Sequence, residues 1–191
     1  MVKIVQIDWK KEEETGKLDE KSVLRQEAKE VQKKEFGTEA LKKIVSDMQA
    51  AMAKEDDGVA IAAPQIGIAK RIFCIKENAY EMEKKEFKWK PLVFINPKIK
   101  KVSKKVTEAD EGCLSVRPLY GTTIRHTNVT LEAQDINGVK FTFGASGLIA
   151  HIFQHECDHL EGVLFIDHAE DIQEVDLEQI KREMNHEQKT N

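Results

Sequence analysis

The sequence predicts an α+β fold in which antiparallel β-sheets pack around one buried central helix, with a further helix at the carboxyl terminus. Residues 146–160 are apolar on nearly every face, which is typical of a helix that other elements enclose. Residues 129–133 and 139–143 alternate between apolar and polar side chains, and the Asn137-Gly138 pair between them favours a tight hairpin turn. The simplest assembly is one domain with several antiparallel strands against the buried helix.

Composition places the chain among intracellular globular proteins. The length of 191 residues suits one domain over residues 1–191. The formal net charge of -4 favours neither nucleic acid nor an anionic membrane as partner. No apolar run approaches the roughly 18 residues that cross a bilayer, and the alternating start resembles neither a signal nor a transit peptide. Three widely spaced cysteines, Cys74, Cys113 and Cys157, indicate a reducing compartment. We therefore expect a cytoplasmic protein.

Local patterns predict the next elements. Thr38 is a suitable N-cap for an amphipathic helix that Gly58 would end; its apolar face consists of Leu41, Ile44, Val45, Met48 and Met52. Residues 71–75 and 92–95 are predicted strands, the second closed by Asn96-Pro97. The basic run 98–105 predicts a solvated edge strand rather than a nucleic-acid site, because acidic residues follow it directly.

The remaining segments give weaker signals. Residues 8–35 are dense in Lys and Glu and predict a solvated loop or short helix, and residues 76–90 predict a charged loop or hairpin end. Residues 58–67 are small and bracketed by glycines, so we expect a tight turn in which the backbone can approach a ligand closely. Residues 163–166 predict a short strand, and residues 176–187 a helix of mixed charge.

The buried helix contains the sequence His-Glu-x-x-His. Ser146 can cap its amino end, and a glycine at position 162 stands where a helix usually stops. At about 100° per residue, His159 lies about 40° round from His155 and one turn along, so both imidazoles can bind one metal ion. Glu156 lies about 100° away and is suited to moving protons rather than to binding the metal.

A third protein ligand is needed, and Cys113 is the best candidate. It follows Gly112 in a bend that can present the sulfur, whereas Cys157 lies about 200° round the helix from His155. We expect Cys157 and Cys74 to be buried thiols of the core.

Three stretches together resemble the signature motifs of the peptide deformylase family, in that family's order. They are residues 58–67, Glu111-Gly112-Cys113-Leu114-Ser115, and Gln154-His155-Glu156-Cys157-Asp158-His159-Leu160. The resemblance runs from about residue 23 to residue 166. It implies removal of the N-formyl group from the initiator methionine of nascent polypeptides, with release of formate.

The resemblance also implies the role of each site residue. Cys113, His155 and His159 would hold one divalent ion, most often Fe2+, with Zn2+, Ni2+ or Co2+ also able to bind. Glu156 would be the general base and then the general acid. Gln65 and the backbone N–H of Leu114 would stabilise the oxyanion.

The sequence departs from the family pattern in its substrate pocket. Gly58, Ala60 and Ile61 begin the first motif, where Ala60 replaces a glycine and Ile61 a leucine. His151 stands beside Leu148 on the pocket face of the helix, at a position that is generally aliphatic in the family. The segment after Ser115 also diverges, so the sequence does not locate the arginine that usually contacts the substrate backbone in the family; Arg117 and Tyr120 are the candidates.

Two alternatives stay open at this stage. Ala60 and His151 are compatible with an amidase of the same fold that acts on another small N-acyl substrate. The chain is also compatible with a metal-binding or ribosome-associated module without catalysis. Family members that dock on the ribosome use a basic carboxyl-terminal helix, and here acidic residues dominate residues 174–187, which argues against such a transient contact.

Overall fold

A computed structural model describes residues 2–83 and 86–176 of the chain. The strands described form two antiparallel sheets, with the order β1-β2-β3-β6-β7 in one and β4-β5-β8 in the other. The predicted α+β class is thereby confirmed. The elements are α1 (Trp9–Thr15), α2 (Glu39–Met52), β1 (Ala60–Ala62), β2 (Ile72–Ile75), α3 (Glu77–Glu81), β3 (Val93–Val102), β4 (Val106–Gly112), β5 (Leu119–His126), β6 (Asn128–Gln134), β7 (Lys140–Ser146), α4 (Gly147–Leu160) and β8 (Glu170–Glu174).

Helix α4 is the buried central helix that the sequence predicts. It packs against strands of both sheets, and its side chains at 149, 150, 152, 153 and 160 join the main hydrophobic core. The Phe153 ring lies 5.1 Å from the Phe94 ring and 6.0 Å from the Phe73 ring, between centroids. Aromatic rings at these separations add to the stabilisation from buried area. The helix is therefore held rigidly from the side of the five-stranded sheet.

The two ends of α4 differ in how well the sequence predicts them. Ser146 stands at the N-cap position but its side chain makes no capping hydrogen bond. The Glu83 carboxylate replaces it, because its Oε1 accepts a hydrogen bond from the N–H of Ile149 at 3.1 Å. The prediction at the other end is confirmed, since Gly162 follows the helix with a φ of 74°. A Cβ there would lie 2.8 Å from the backbone of Arg25, so the position requires glycine.

Helix α2 and the β6–β7 hairpin also form as predicted. Thr38 Oγ1 accepts a hydrogen bond from the N–H of Leu41 at 3.3 Å, and the apolar face of α2 builds a second core against β1 and β2. In the hairpin, Gly138 adopts a φ of 84°, a left-handed conformation that glycine tolerates.

Strand β3 differs from its prediction because it continues through Asn96-Pro97. A register shift between Ile95 and Lys98 accommodates the proline. Asn96 adopts a φ of 49°, and its side chain binds both the N–H and the C=O of Val31 at 2.8 and 2.9 Å. Residues 98–102 of the basic run are exposed. Among the pairings described they pair only with β6, so this half of β3 forms an edge as predicted, although β3 is an internal strand of its sheet.

Four other segments correct or limit the predictions. Residues 58–67 contain strand β1 followed by a 3-10 turn, Ala63–Ile66, rather than a turn alone. Residues 163–166 form no strand, because a 3-10 turn, Phe165–Asp167, begins there. Residues 76–90 include helix α3. Apart from Asp176, the predicted carboxyl-terminal helix lies outside the described residues. Within the ranges described, none of the helices combines the length and apolar character that a membrane crossing requires.

The charged amino-terminal segment buries an ion pair that the sequence does not predict. The Arg25 side chain is 2% exposed and donates to Glu12 Oε2 at 2.5 Å and to Asp167 Oδ2 at 2.6 Å. Burial alone would raise the pKa of Glu12, but hydrogen bonds from Arg25 and from the N–H of Asp19 hold that pKa below its ordinary value. This pair fastens α1 to the segment that follows α4.

We expect Glu12→Gln to reduce the acid sensitivity of folding. The lowered pKa of Glu12 means that the unfolded chain binds more protons near pH 4, so this contribution to the free energy of unfolding is complete above about pH 4.3 and is lost as the pH falls further. Urea unfolding of the wild type and of Glu12→Gln between pH 6 and pH 3 measures how steeply the free energy of unfolding depends on pH. Glu13→Gln removes an exposed charge from the same helix and is the matched control; equal slopes in the two variants would contradict the prediction.

Candidate metal centre and active-site cleft

The structure brings the three predicted metal ligands together. Ligand atoms of Cys113, His155 and His159 all lie within 4.8 Å of one another. Cys113 stands directly after β4, and α4 places the two imidazoles one turn apart with ring centroids separated by 5.0 Å. Cys113 Sγ lies 3.2 Å from His159 Nε2. Cys74 and Cys157 are free and buried, as expected for core thiols.

The chemistry of this donor set fits a divalent metal ion. His155 Nδ1 lies 2.8 Å from Glu111 Oε2, which leaves Nε2 of the same ring for a metal. Burial lowers the pKa of His159 well below its ordinary value, so this imidazole is neutral and able to act as a ligand. Glu156 Oε2 is buried and has no hydrogen-bond partner among the described residues. Since a buried polar atom without a partner is costly, a metal with its hydration water explains this arrangement.

Glu111 connects the metal-binding group to a buried arginine. Its Oε1 accepts from Arg125 Nε at 2.5 Å and from Thr123 Oγ1 at 2.8 Å. Arg125 also donates to Asp158 Oδ2 at 2.7 Å. Burial alone would raise the pKa of Glu111, but the hydrogen bonds from His155 and Arg125 hold it well below the ordinary value. Glu111 therefore stays ionised and orients the His155 ring.

The sequence reasoning missed Arg125 and the orienting contact of Glu111. A signal was present in β5, where residues 119, 121, 123 and 125 are buried on one face. Thr123 and Arg125 occupy that inward face, and a charged residue at an inward position of an alternating strand indicates a buried partner.

A cleft of about 230 Å³ opens over the metal-binding group. Cys113, His155 and Glu156 lie in its lining. Among the residues expected to contact substrate, Gly58, Ala60, Leu148 and His151 also line it, whereas Ile61 is fully buried in the core beside α2. Successive side chains of a strand point to opposite sides, which explains why Ala60 and Ile61 separate. His151 Nε2 is buried without a hydrogen-bond partner in the described part of the chain.

Gln65 and Leu114 flank the same group. Gln65 Oε1 accepts from the N–H of Ala62 at 2.8 Å, and this contact directs Nε2 towards Cys113 Sγ at 3.5 Å and Ser115 Oγ at 3.3 Å. Leu114 lines the cleft next to Gly58, where an added Cβ would lie 2.9 Å from Leu114 Cδ1. A larger residue at position 58 would displace the end of the Leu114 side chain.

Arg117 is engaged within the chain. Its two terminal nitrogens donate to Glu55 Oε2 at 2.6 Å and to Asp57 Oδ1 at 2.5 Å. The Tyr120 ring packs against Gly112, where a Cβ would lie 2.5 Å from the ring. Both residues line the cleft, as does Asp57.

Fold and site define a metal-binding α+β protein with a sulfur and two imidazoles as the donor set. The chain belongs to the polypeptide deformylase family, whose model matches residues 16–175. It is 43% identical over 133 residues to peptide deformylase 1B of Arabidopsis thaliana, across 70% of this chain and 46% of that one. It is 40% identical over 148 residues to a peptide deformylase of Microchaete diplosiphon, across 78% and 74% of the two chains.

Solved structures agree with this assignment. A class I type b peptide deformylase from Acinetobacter baumannii, bound to K3U, matches with a TM-score of 0.72 at 29% identity, covering 88% of this chain and 99% of that one. The crystal structure of a mutant of Arabidopsis thaliana peptide deformylase 1B matches with a TM-score of 0.70 at 36% identity, covering 88% and 80%. The chain spans a little under half of the length of the plant relatives whose sequences it matches.

We expect Glu111→Gln to weaken metal binding about 10- to 100-fold, because the His155 ring loses its charged partner. Competition of the purified protein with a chromophoric chelator for Zn2+ measures the affinity. Glu108→Gln is the matched control, since Glu108 lies on the same strand but is exposed. Equal affinities for the two variants would show that Glu111 does not orient the ligand.

Proposed function

We propose that the protein removes the N-formyl group from the amino-terminal methionine of newly synthesised polypeptides and releases formate. The observation that carries this proposal is the group of Cys113, His155 and His159 beside the buried Glu156, at one cleft. Membership of the polypeptide deformylase family supports it, and several relatives carry the name peptide deformylase.

Cys113, His155 and His159 would hold one divalent ion, and we propose Fe2+ as the ion in the cell, with Zn2+, Ni2+ or Co2+ able to take its place. A thiolate with two imidazoles is a donor set that suits such ions. When bound, the ion supplies a Lewis acid that polarises the formyl carbonyl and lowers the pKa of water from 15.7 towards about 7.

Glu156 is the proposed proton carrier. Burial raises the pKa of its carboxyl to about 7, close to the pH at which a general base and acid works best. The carboxylate takes a proton from the attacking water as the new C–O bond forms on the formyl carbon. It then gives that proton to the nitrogen as the C–N bond breaks, which yields formate and a free amine.

Gln65 and the N–H of Leu114 are the proposed oxyanion donors. The contact from Ala62 fixes the Gln65 amide, so its Nε2 needs no reorganisation when negative charge develops. Leu114 directly follows Cys113 in the sequence, and both line the cleft. Both donors therefore lie beside the group that would hold the metal.

The walls of the cleft suit an extended peptide. Strand β1 is outermost in its sheet and β4 in the other, as the described strands are ordered, and residues of both line the cleft. Outer strands present unpaired N–H and C=O groups with which a peptide can form hydrogen bonds. Gly58 and Ala60 would lie along the substrate backbone, and Leu148 and His151 beside the methionine side chain. Ile61 is buried in the core, so it would support β1 from behind and would not contact the substrate.

The wider setting is also a proposal. We infer one domain over residues 1–191, a cytoplasmic location, and action on nascent chains without direct binding of nucleic acid or membrane. Acidic residues outnumber basic ones in residues 174–187, so the composition of this stretch does not favour a transient contact with the ribosome.

Formate release from matched peptides tests the function. Metal-loaded protein prepared without oxygen is assayed with a formyl-Met peptide, an acetyl-Met peptide and a formyl peptide that begins with another residue. Turnover is expected to be fastest on the formyl-Met peptide. Turnover on the acetylated peptide alone would instead establish an amidase of another substrate class.

We expect Glu156→Gln to lower kcat about 10²- to 10⁴-fold, the usual contribution of general acid–base catalysis, while metal stays bound. Elemental analysis and formate release measure the two quantities on the same sample. If the wild type and the variant hold metal equally and neither releases formate, the chain is a binding module rather than an enzyme.

We expect Gln65→Leu to lower kcat about 10²- to 10³-fold with little change in KM, because an oxyanion donor acts mainly in the transition state. Gln134→Leu is the matched control, since the Gln134 amide also makes hydrogen bonds within the fold, to Asn96 and Gly138. A rise in KM at constant kcat for Gln65→Leu would assign Gln65 to ground-state binding instead.

A further inference from the structure

A clamp formed by Arg117, Glu55 and Asp57 joins the two loops that carry the proposed oxyanion donors. Glu55 and Asp57 directly precede Gly58, which begins the segment leading to Gln65. Arg117 lies just beyond the turn at Cys113, Leu114 and Ser115. The clamp therefore bridges two segments that are distant in sequence, since Arg117 lies 62 positions after Glu55.

The geometry of the clamp fixes the guanidinium plane. Each terminal nitrogen of Arg117 binds a different carboxylate, at 2.6 Å to Glu55 and 2.5 Å to Asp57. The three side chains are 26%, 25% and 22% exposed, so solvent screens these contacts less than it screens surface pairs. Charge-assisted hydrogen bonds of this length are about twice as strong as neutral ones.

The two segments joined by the clamp also meet at Leu114 and Gly58. The Leu114 side chain lies so close to Gly58 that an added Cβ would be 2.9 Å from Leu114 Cδ1. The N–H of Val116 donates to the C=O of Cys113 at 3.1 Å, and Val116 is fully buried, which makes the turn before Arg117 short and stiff. Movement of Arg117 would therefore be passed on to Cys113 and Leu114.

We propose that Arg117 is a positioning residue. Its clamp fixes the position of the turn at Cys113 and Leu114 relative to the segment that carries Gln65. The kinetic part of this inference depends on the proposed function. Both terminal nitrogens of Arg117 are bound to carboxylates that precede Gly58, so its guanidinium holds the two segments together rather than binding the substrate. Removal of the clamp therefore lowers kcat rather than raising KM.

The kinetic test uses Arg117→Gln, Asp57→Asn and the double variant. We expect each single variant to lower kcat about tenfold, since a 1 Å misplacement can cost about 10²-fold, with KM within about twofold. The double variant is expected to lose little more, because both changes break the same clamp. Glu161→Gln is the matched control: it removes a carboxylate that lies 2.8 Å from Arg71, outside the lining of the cleft.

A second readout does not need activity. Alkylation of Cys113 in metal-free protein, followed by peptide mass spectrometry, reports how often the turn opens. We expect about tenfold faster modification of Cys113 in Arg117→Gln than in Glu161→Gln, with the rate at Cys157 unchanged. Glu55→Gln repeats the measurement if Arg117→Gln does not fold.

The outcomes separate the two proposals. A rise in KM at constant kcat would make Arg117 a substrate-binding residue and overturn the inference. Unchanged kcat together with unchanged Cys113 alkylation would also overturn it. If the wild type releases no formate, the proposed function fails, while the alkylation rates still decide the role of the clamp.

Discussion

The structure depends on how three ionisable side chains are kept inside a helix that other elements enclose. His155, Glu156 and His159 would each be costly in an apolar interior. A continuous set of contacts offsets this cost: Asp158 accepts from Arg125, Arg125 binds Glu111, and Glu111 holds His155. These contacts join β4, β5 and α4. Glu156 Oε2 has no partner among the described residues, and a metal-bound water beside the three ligands would satisfy it.

The two sheets contribute differently to the site. The five-stranded sheet provides apolar packing behind α4, where Phe153 of the helix packs edge-on against Phe94 and Phe94 stacks on Phe73. The three-stranded sheet provides Glu111 and Arg125, and the turn after β4 provides Cys113. The cleft lies where the outer strands β1 and β4 face the helix, so the proposed peptide substrate would meet backbone groups of these strands beside the proposed metal ligands. Rigid support on one side and open strand edges on the other suit the proposed hydrolysis of a peptide substrate.

Local sequence patterns were most reliable where their physical cause is local. Helix α2 follows from its Thr38 cap and apolar face, and the β6–β7 hairpin from Gly138. Predictions failed where distant groups intervene. Strand β3 continues through Asn96-Pro97 because Asn96 binds the backbone of Val31, which is 65 positions away. Glu83 rather than Ser146 caps α4 for the same kind of reason.

The sequence by itself identified the family and predicted the metal ligands and the carboxylate between them, because His-Glu-x-x-His is a helical spacing and the cysteine stands in a short motif of its own. Only the tertiary structure decided how those groups are supported. The buried pair of Glu111 and Arg125, the clamp of Arg117, and the ion pairs of Arg25 join positions that are 13 to 142 apart, and no helix or strand periodicity relates them. Ion pairs of this kind depend on burial and on the approach of two side chains, and both quantities exist only once the chain has folded.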